Sequence, residues 1–145
     1  MSSDLSTSLR HFAEGGFVIV TDDAKRENEG DLFLLAEHAT TEKLAFMIRY
    51  TSGVICVPMT EARSRELHLP LMVKNNQDTK RTAFTVTVDV KHGLTTGISA
   101  EQRSNTVRAL ANGNMGPSDF IRPGHVFPLI AKDGGVLMRS GHTEA

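Results

Sequence analysis

A chain of 145 residues with 39% hydrophobic and 23% charged side chains is long enough to bury a core and most simply forms one domain over residues 1–145. Its net charge of -1 gives nucleic acid or an anionic membrane surface nothing to attract, and no apolar run approaches the ~20 residues of a membrane span. The start MSSDLSTSLRHF lacks the apolar centre of a secretory signal and a single cysteine forms no internal disulfide, so a cytoplasmic protein is expected.

Leu5 to Glu14 is predicted to be a short helix stopped by Gly15-Gly16. Phe17 to Val20 reads as a buried strand, and Leu32 to Ala36 as a second one returning from the acidic loop between them. Thr41 to Tyr50 is a predicted helix, capped by Thr40 or Thr41, with Leu44, Met47 and Ile48 on one face. The run VICVPM reads as a strand interrupted by Pro58, with Cys56 a small buried hydrophobe inside it. A further short helix is expected over Thr60 to Leu67, then an irregular connection. In TAFTVTVD, Phe84, Val86 and Val88 alternate with Thr85 and Thr87, the period of a half-buried strand. Ser99 and Gln102 form a capping box for the next helix, whose core face holds Val107 and Leu110. HVFPLIAKDGGVLMR reads as a hairpin turning at Asp133-Gly134. Strands and helices are interspersed, so the expected fold class is α/β (α+β), a mixed sheet covered by helices.

Three stretches carry chemistry. In RENEGD, Glu27 and Glu29 would point the same way if the segment were extended, with Asp31 continuing the row. Such oxygen ligands suit a hard divalent cation, and Arg26 offers a forked donor to a substrate oxygen or phosphate. In RSGHTEA, Arg139, the Gly141 backbone and the Thr143 hydroxyl resemble a phosphate cradle, and His142 among them can ligate a metal. In RPGHVFPL, His125 follows Pro123-Gly124 at a loop-to-strand boundary, a place where an acid–base group is often presented. Each stretch has a plain alternative: a solvated acidic turn, a polar chain end, a structural histidine.

Together, DDAKRENEGDLFLLAE, TSGVICVPM, TAFTVTVD, LTTGISAEQRSNTVRALA, DFIRPGHVFPL and GGVLMRSGHTEA resemble the 3,4-dihydroxy-2-butanone 4-phosphate synthase family of riboflavin biosynthesis, in the family's order from Phe17 onward. The resemblance implies a lyase that converts D-ribulose 5-phosphate to 3,4-dihydroxy-2-butanone 4-phosphate and formate with Mg2+ or Mn2+, working as a homodimer with its sites near the interface. It implies Glu27 and His142 as metal ligands and Arg26 and Asp31 as sugar contacts. Arg139, Ser140, Gly141, His142 and Thr143 would surround the phosphate end, and His125 would be the essential histidine. Glu29 and Asp31 beside the metal would shuttle protons.

Family members continue beyond GHTEA through a helix and a strand bearing a glutamate in a CEI-like motif. This chain stops at Ala145, so its domain is expected to be incomplete at the carboxyl end. The competing function is accordingly a sugar-phosphate or metal-binding module without turnover, or an inert fragment of the enzyme.

Overall fold

The first helix begins where an aspartate can cap it. Asp4 accepts from Ser6 N, and α1 runs Leu5–Ala13 until Gly15 takes a left-handed φ of 85°. This computed structural model describes residues 4–145; residues 1–3 of the polar start lie outside the described residues. Strand β1, Val18–Thr21, pairs antiparallel with β2, Gly30–Phe33, as a separate two-stranded sheet. The expectation of two buried strands fails here. Ile19 is 70% exposed, and β2 gives way before Ala36, which begins a 3-10 turn over Ala36–His38. A two-stranded ribbon has a free face, so its apolar residues need not be covered on both sides.

Helix α2, Thr41–Tyr50, starts as expected, with Thr40 Oγ1 accepting from Lys43 N, and buries Leu44. Strand β3, Cys56–Met59, lies at one edge of the main sheet, where Pro58 sacrifices no shared ladder bond, and Cys56 is exposed rather than buried. Helix α3, Glu61–Glu66, is capped by Thr60. Its Arg63 donates to the carbonyls of Leu110 at 3.3 Å and Asn112 at 2.7 Å, tying it to the end of a later helix over Ala100–Ala111. The main sheet has the order β3-β5-β4, with β5, Phe120–Ile130, parallel to β3 and antiparallel to β4, Val88–Val90. Helix α4, Ala100–Ala111, lies against α2 and β4. Leu44, Val88, Val107, Leu110 and Val126 join in one buried cluster between them. The mixed sheet covered by helices is therefore the fold.

Three further expectations are corrected. TAFTVTVD is regular only from Val88; before it, Phe84 and Thr85 form isolated bridges, and Thr85 is fully buried because its N–H and hydroxyl both reach the Pro128 carbonyl. A buried, satisfied threonine defeats the period-two pattern. The capping box is half formed. Ser99 accepts from Gln102 N, whereas the Gln102 side chain turns to Gly97 N and to the Thr95 hydroxyl at 2.6 Å. Finally, GGVLMR does not return as a strand. Gly134 and Gly135 both have positive φ, and Gly135–Leu137 is a 3-10 turn that leaves Leu137 92% exposed.

Between Val88 and Asp89 the β4–β5 register shifts. Val88 faces Val126 and Asp89 faces Ile121, so Arg122–His125 bulge out of β5. Gly124 makes this bulge fit. Its nitrogen donates to Thr87 Oγ1 at 3.0 Å, and a Cβ there would stand within 3.0 Å of the Val88 carbonyl carbon and the Asp89 nitrogen.

Candidate active site

The β1–β2 loop is organised from within by Asp22. Its carboxylate accepts from Glu29 N at 2.9 Å, Glu27 N at 3.0 Å and Arg26 Nη1 at 2.8 Å. These donors, the Glu29 amide foremost, hold Asp22 well below its ordinary 3.8, at about 2. An aspartate at the head of a loop is a known turn signal, yet sequence reasoning passed over this one. Its depressed pKa stabilises the loop fully above pH 3.8, and that contribution is lost as the pH falls toward 2. The Asp22 carboxyl resonance should accordingly titrate near pH 2 by NMR. In Asp22→Asn the loop amides of Glu27 and Glu29 should lose hydrogen-exchange protection at neutral pH. A midpoint at the ordinary carboxylate value would contradict this account.

The loop is not extended. Residues 24–27 form a turn and Asn28 has a left-handed φ of 55°, so Glu27 and Glu29 do not share a row. Glu27 turns toward the chain's final segment, where Gly141 introduces a 3-10 turn over His142–Glu144. Glu27 Oε2 lies 4.0 Å and Asp31 Oδ2 3.3 Å from His142 Nδ1. The His142 side chain is only 10% exposed, and its Nε2 is buried with no hydrogen-bond partner among the described residues. One ligand atom each from Asp22, Glu27 and His142 fall within 4.8 Å of one another. Two carboxylates and an imidazole with a free ring nitrogen form a fitting donor set for a divalent cation. The Asp22 oxygens already accept three hydrogen bonds, and Glu27 Oε2 accepts one, from Arg26 Nη1 at 2.8 Å.

A cavity of about 460 Å3 opens beside this cluster, lined among others by Asp22, Arg26, Ser140, Gly141 and His142. Lys25 and Lys80, neither singled out from the sequence, also line it. Lys80 arrives on the irregular 71–84 connection; its Nζ meets the Arg26 carbonyl at 3.4 Å, and its own carbonyl accepts from Arg139 Nη2 at 3.1 Å. Only the fold could reveal this convergence. Arg26 is paired with Asp22 and Glu27 at 2.8 Å each, and Arg139 with the buried Glu144 at 2.6 Å. Glu27, Glu29, Asp31, Arg139 and Thr143 do not line the cavity; Glu27 and Asp31 stand beside it, against His142.

His125 is elsewhere. It is outside the cavity lining, and its Nδ1 lies 2.7 Å from Asp89 Oδ2 at the β5 bulge. Partial desolvation, then the charge of Asp31, pushes the Cys56 thiol up to about 11, so it is a neutral thiol rather than a nucleophile.

A mixed α/β fold that gathers carboxylates, an imidazole and several cations beside one cavity offers groups suited to a divalent cation and a small anionic molecule. The chain belongs to the 3,4-dihydroxy-2-butanone 4-phosphate synthase family, whose profile matches residues 6–145. It is 51% identical to the 3,4-dihydroxy-2-butanone 4-phosphate synthase of Saccharomyces cerevisiae, over 100% of this chain and 73% of that protein. It is 55% identical to the riboflavin biosynthesis protein RibBA of Salinispora arenicola, over 97% of this chain and 34% of that one. A crystal structure of 3,4-dihydroxy-2-butanone 4-phosphate synthase in complex with two magnesium ions shares the fold with a TM-score of 0.96 and 51% identity. The match spans 98% of this chain and 66% of that chain.

Proposed function

We propose that the chain converts D-ribulose 5-phosphate to 3,4-dihydroxy-2-butanone 4-phosphate and formate, the lyase step of riboflavin biosynthesis, with magnesium or manganese held by Glu27 and His142. The observation that carries this reading is the 4.0 Å approach of Glu27 to His142, residues from opposite ends of the chain, beside a cavity that also presents cations. The chemistry supplied by a divalent cation in that position is polarisation of the sugar's carbonyl and hydroxyl oxygens, stabilising the negative charge they develop.

The protein's own groups do the rest. Arg26, already oriented by two carboxylates, presents its remaining guanidinium edge to the sugar, and Asp31 contacts it from β2. Ser140 and the Gly141 backbone receive the phosphate end from the cavity wall, with Thr143 two residues on to complete the contact, and Arg139 supports that segment through Glu144 and the Lys80 carbonyl. Lys80 and Lys25 add positive charge to the cavity wall. Glu29 and Asp31 shuttle protons, and His125 acts as the base, contributions on the order of 10²–10⁴-fold for such groups. Formate release from ribulose 5-phosphate that depends on magnesium and stops with a chelator tests the reading; no formate from a folded, magnesium-loaded protein would refute it.

The working form is a homodimer with its sites near the interface. Because His125 lies outside its own subunit's cavity, a second copy is the natural source of the histidine at each site. Exposed Leu137, Met138, Met72 and Val73 offer apolar surface for that association. Mixing inactive Glu27→Gln and His125→Ala proteins should restore about a quarter of wild-type turnover, since random pairing leaves one intact site in each mixed dimer. No recovery would mean that each site is built within one subunit.

A further inference from the structure

The β5 bulge does more than expose a histidine. Asp89 is buried, with its side chain 5% exposed, and holds His125 at two points. Its Oδ1 accepts from His125 N at 2.9 Å, and its Oδ2 lies 2.7 Å from Nδ1. The His125 side chain is 40% exposed, and its Nε2 makes no hydrogen bond among the described residues. The pair is closed from behind by Gly97, whose φ is +89° and where a Cβ would fall within 3.0 Å of both Asp89 Oδ2 and His125 Nδ1. Gly97 is in turn held by the Gln102 side chain of α4. The same helix supplies Arg103, buried and donating to the Gly53 carbonyl at 3.0 Å; burial lowers its pKa and the Asp89 charge opposes that.

We propose that Asp89 is the positioning residue of His125, fixing the Nδ1–H tautomer so that Nε2 stands open as a proton acceptor. An ionised carboxylate can only accept, so the ring nitrogen beside it must carry hydrogen and the other must carry the lone pair. When Nε2 takes a proton from a substrate carbon or hydroxyl, the imidazolium keeps its Nδ1–H on Asp89, whose negative charge stabilises it. The proton leaves from Nε2 again when a later step needs an acid. Gly97 and Gln102 keep the carboxylate from swinging away, which accounts for Gln102 abandoning its ordinary capping role. This inference rests on the reading of His125 as the proton-moving histidine.

The test has two arms. In the wild-type protein, a two-bond proton–nitrogen NMR correlation should show the neutral His125 ring protonated at Nδ1; protonation at Nε2 overturns the proposal. That measurement needs no turnover, so it decides the matter for Asp89 even if the chain releases no formate. In Asp89→Asn the amide donates where the carboxylate accepted, so the ring should switch to the Nε2–H tautomer. Its kcat should drop by about 10²–10⁴-fold, with KM within about threefold of wild type. A folded variant with kcat within about threefold of wild type, or one that loses turnover without the tautomer switch, overturns it. Unchanged turnover in His125→Ala would instead remove His125 from the reaction while leaving the ring measurement to judge Asp89.

Discussion

Replacing Glu27 by glutamine should abolish metal-dependent formate release while leaving the fold intact. The side chain is 28% exposed and its ion pair with Arg26 is near the surface, so losing the charge should change stability by no more than about 1 kcal/mol. Losing a carboxylate that holds a divalent cation against developing charge removes several kcal/mol of transition-state stabilisation; about 4 kcal/mol corresponds to roughly 10³-fold in kcat. A second signature separates ligation from a general electrostatic effect. At a magnesium concentration about 100-fold above its dissociation constant, wild type should gain about 2.7 kcal/mol of unfolding free energy, and Glu27→Gln almost none. Undiminished turnover, or magnesium stabilisation equal to wild type, would show that the cation is held elsewhere.

Gly124→Ala should damage both the sheet and the reaction. The added methyl has no flexible side chain to displace; it meets the backbone between Val88 and Asp89 in the middle of the β4–β5 pairing. Overpacking of this kind costs about 1–3 kcal/mol, read as a fall in the urea midpoint. Relief of the clash moves Arg122–His125 away from Asp89, so turnover should fall along with stability. A variant within about 0.5 kcal/mol of wild type would mean that the bulge has room to spare.

Much of this architecture could be read from residue order, for identifiable reasons. The bounds of α2, the caps at Thr40 and Ser99 and the buried face of α4 depend on neighbours within one or two turns, where local chemistry decides. The exposed β1–β2 ribbon, the buried Thr85 and the unreturned GGVLMR run depend on which distant backbone lies alongside, and no local period encodes that. At the site, the charge-bearing motifs stood out by composition and by family resemblance. Asp22, Lys80 and Asp89 did not, because each takes its meaning from partners elsewhere: loop amides folding back, a connection crossing over, a bulge swinging out.

Among the described residues, the two-stranded ribbon that carries the acidic loop shares no ladder hydrogen bond with the main sheet. Asp22 and Glu27 of the candidate metal cluster therefore ride on a ribbon whose strands hold no fully buried residue, while the bulk of the buried side chains belongs to the other sheet and its helices. Under mild denaturant the ribbon should loosen first, erasing enzyme assays while circular dichroism still registers an ordered molecule. Anyone seeking to lengthen the working life of this protein would do better to brace the ribbon than to refine the interior.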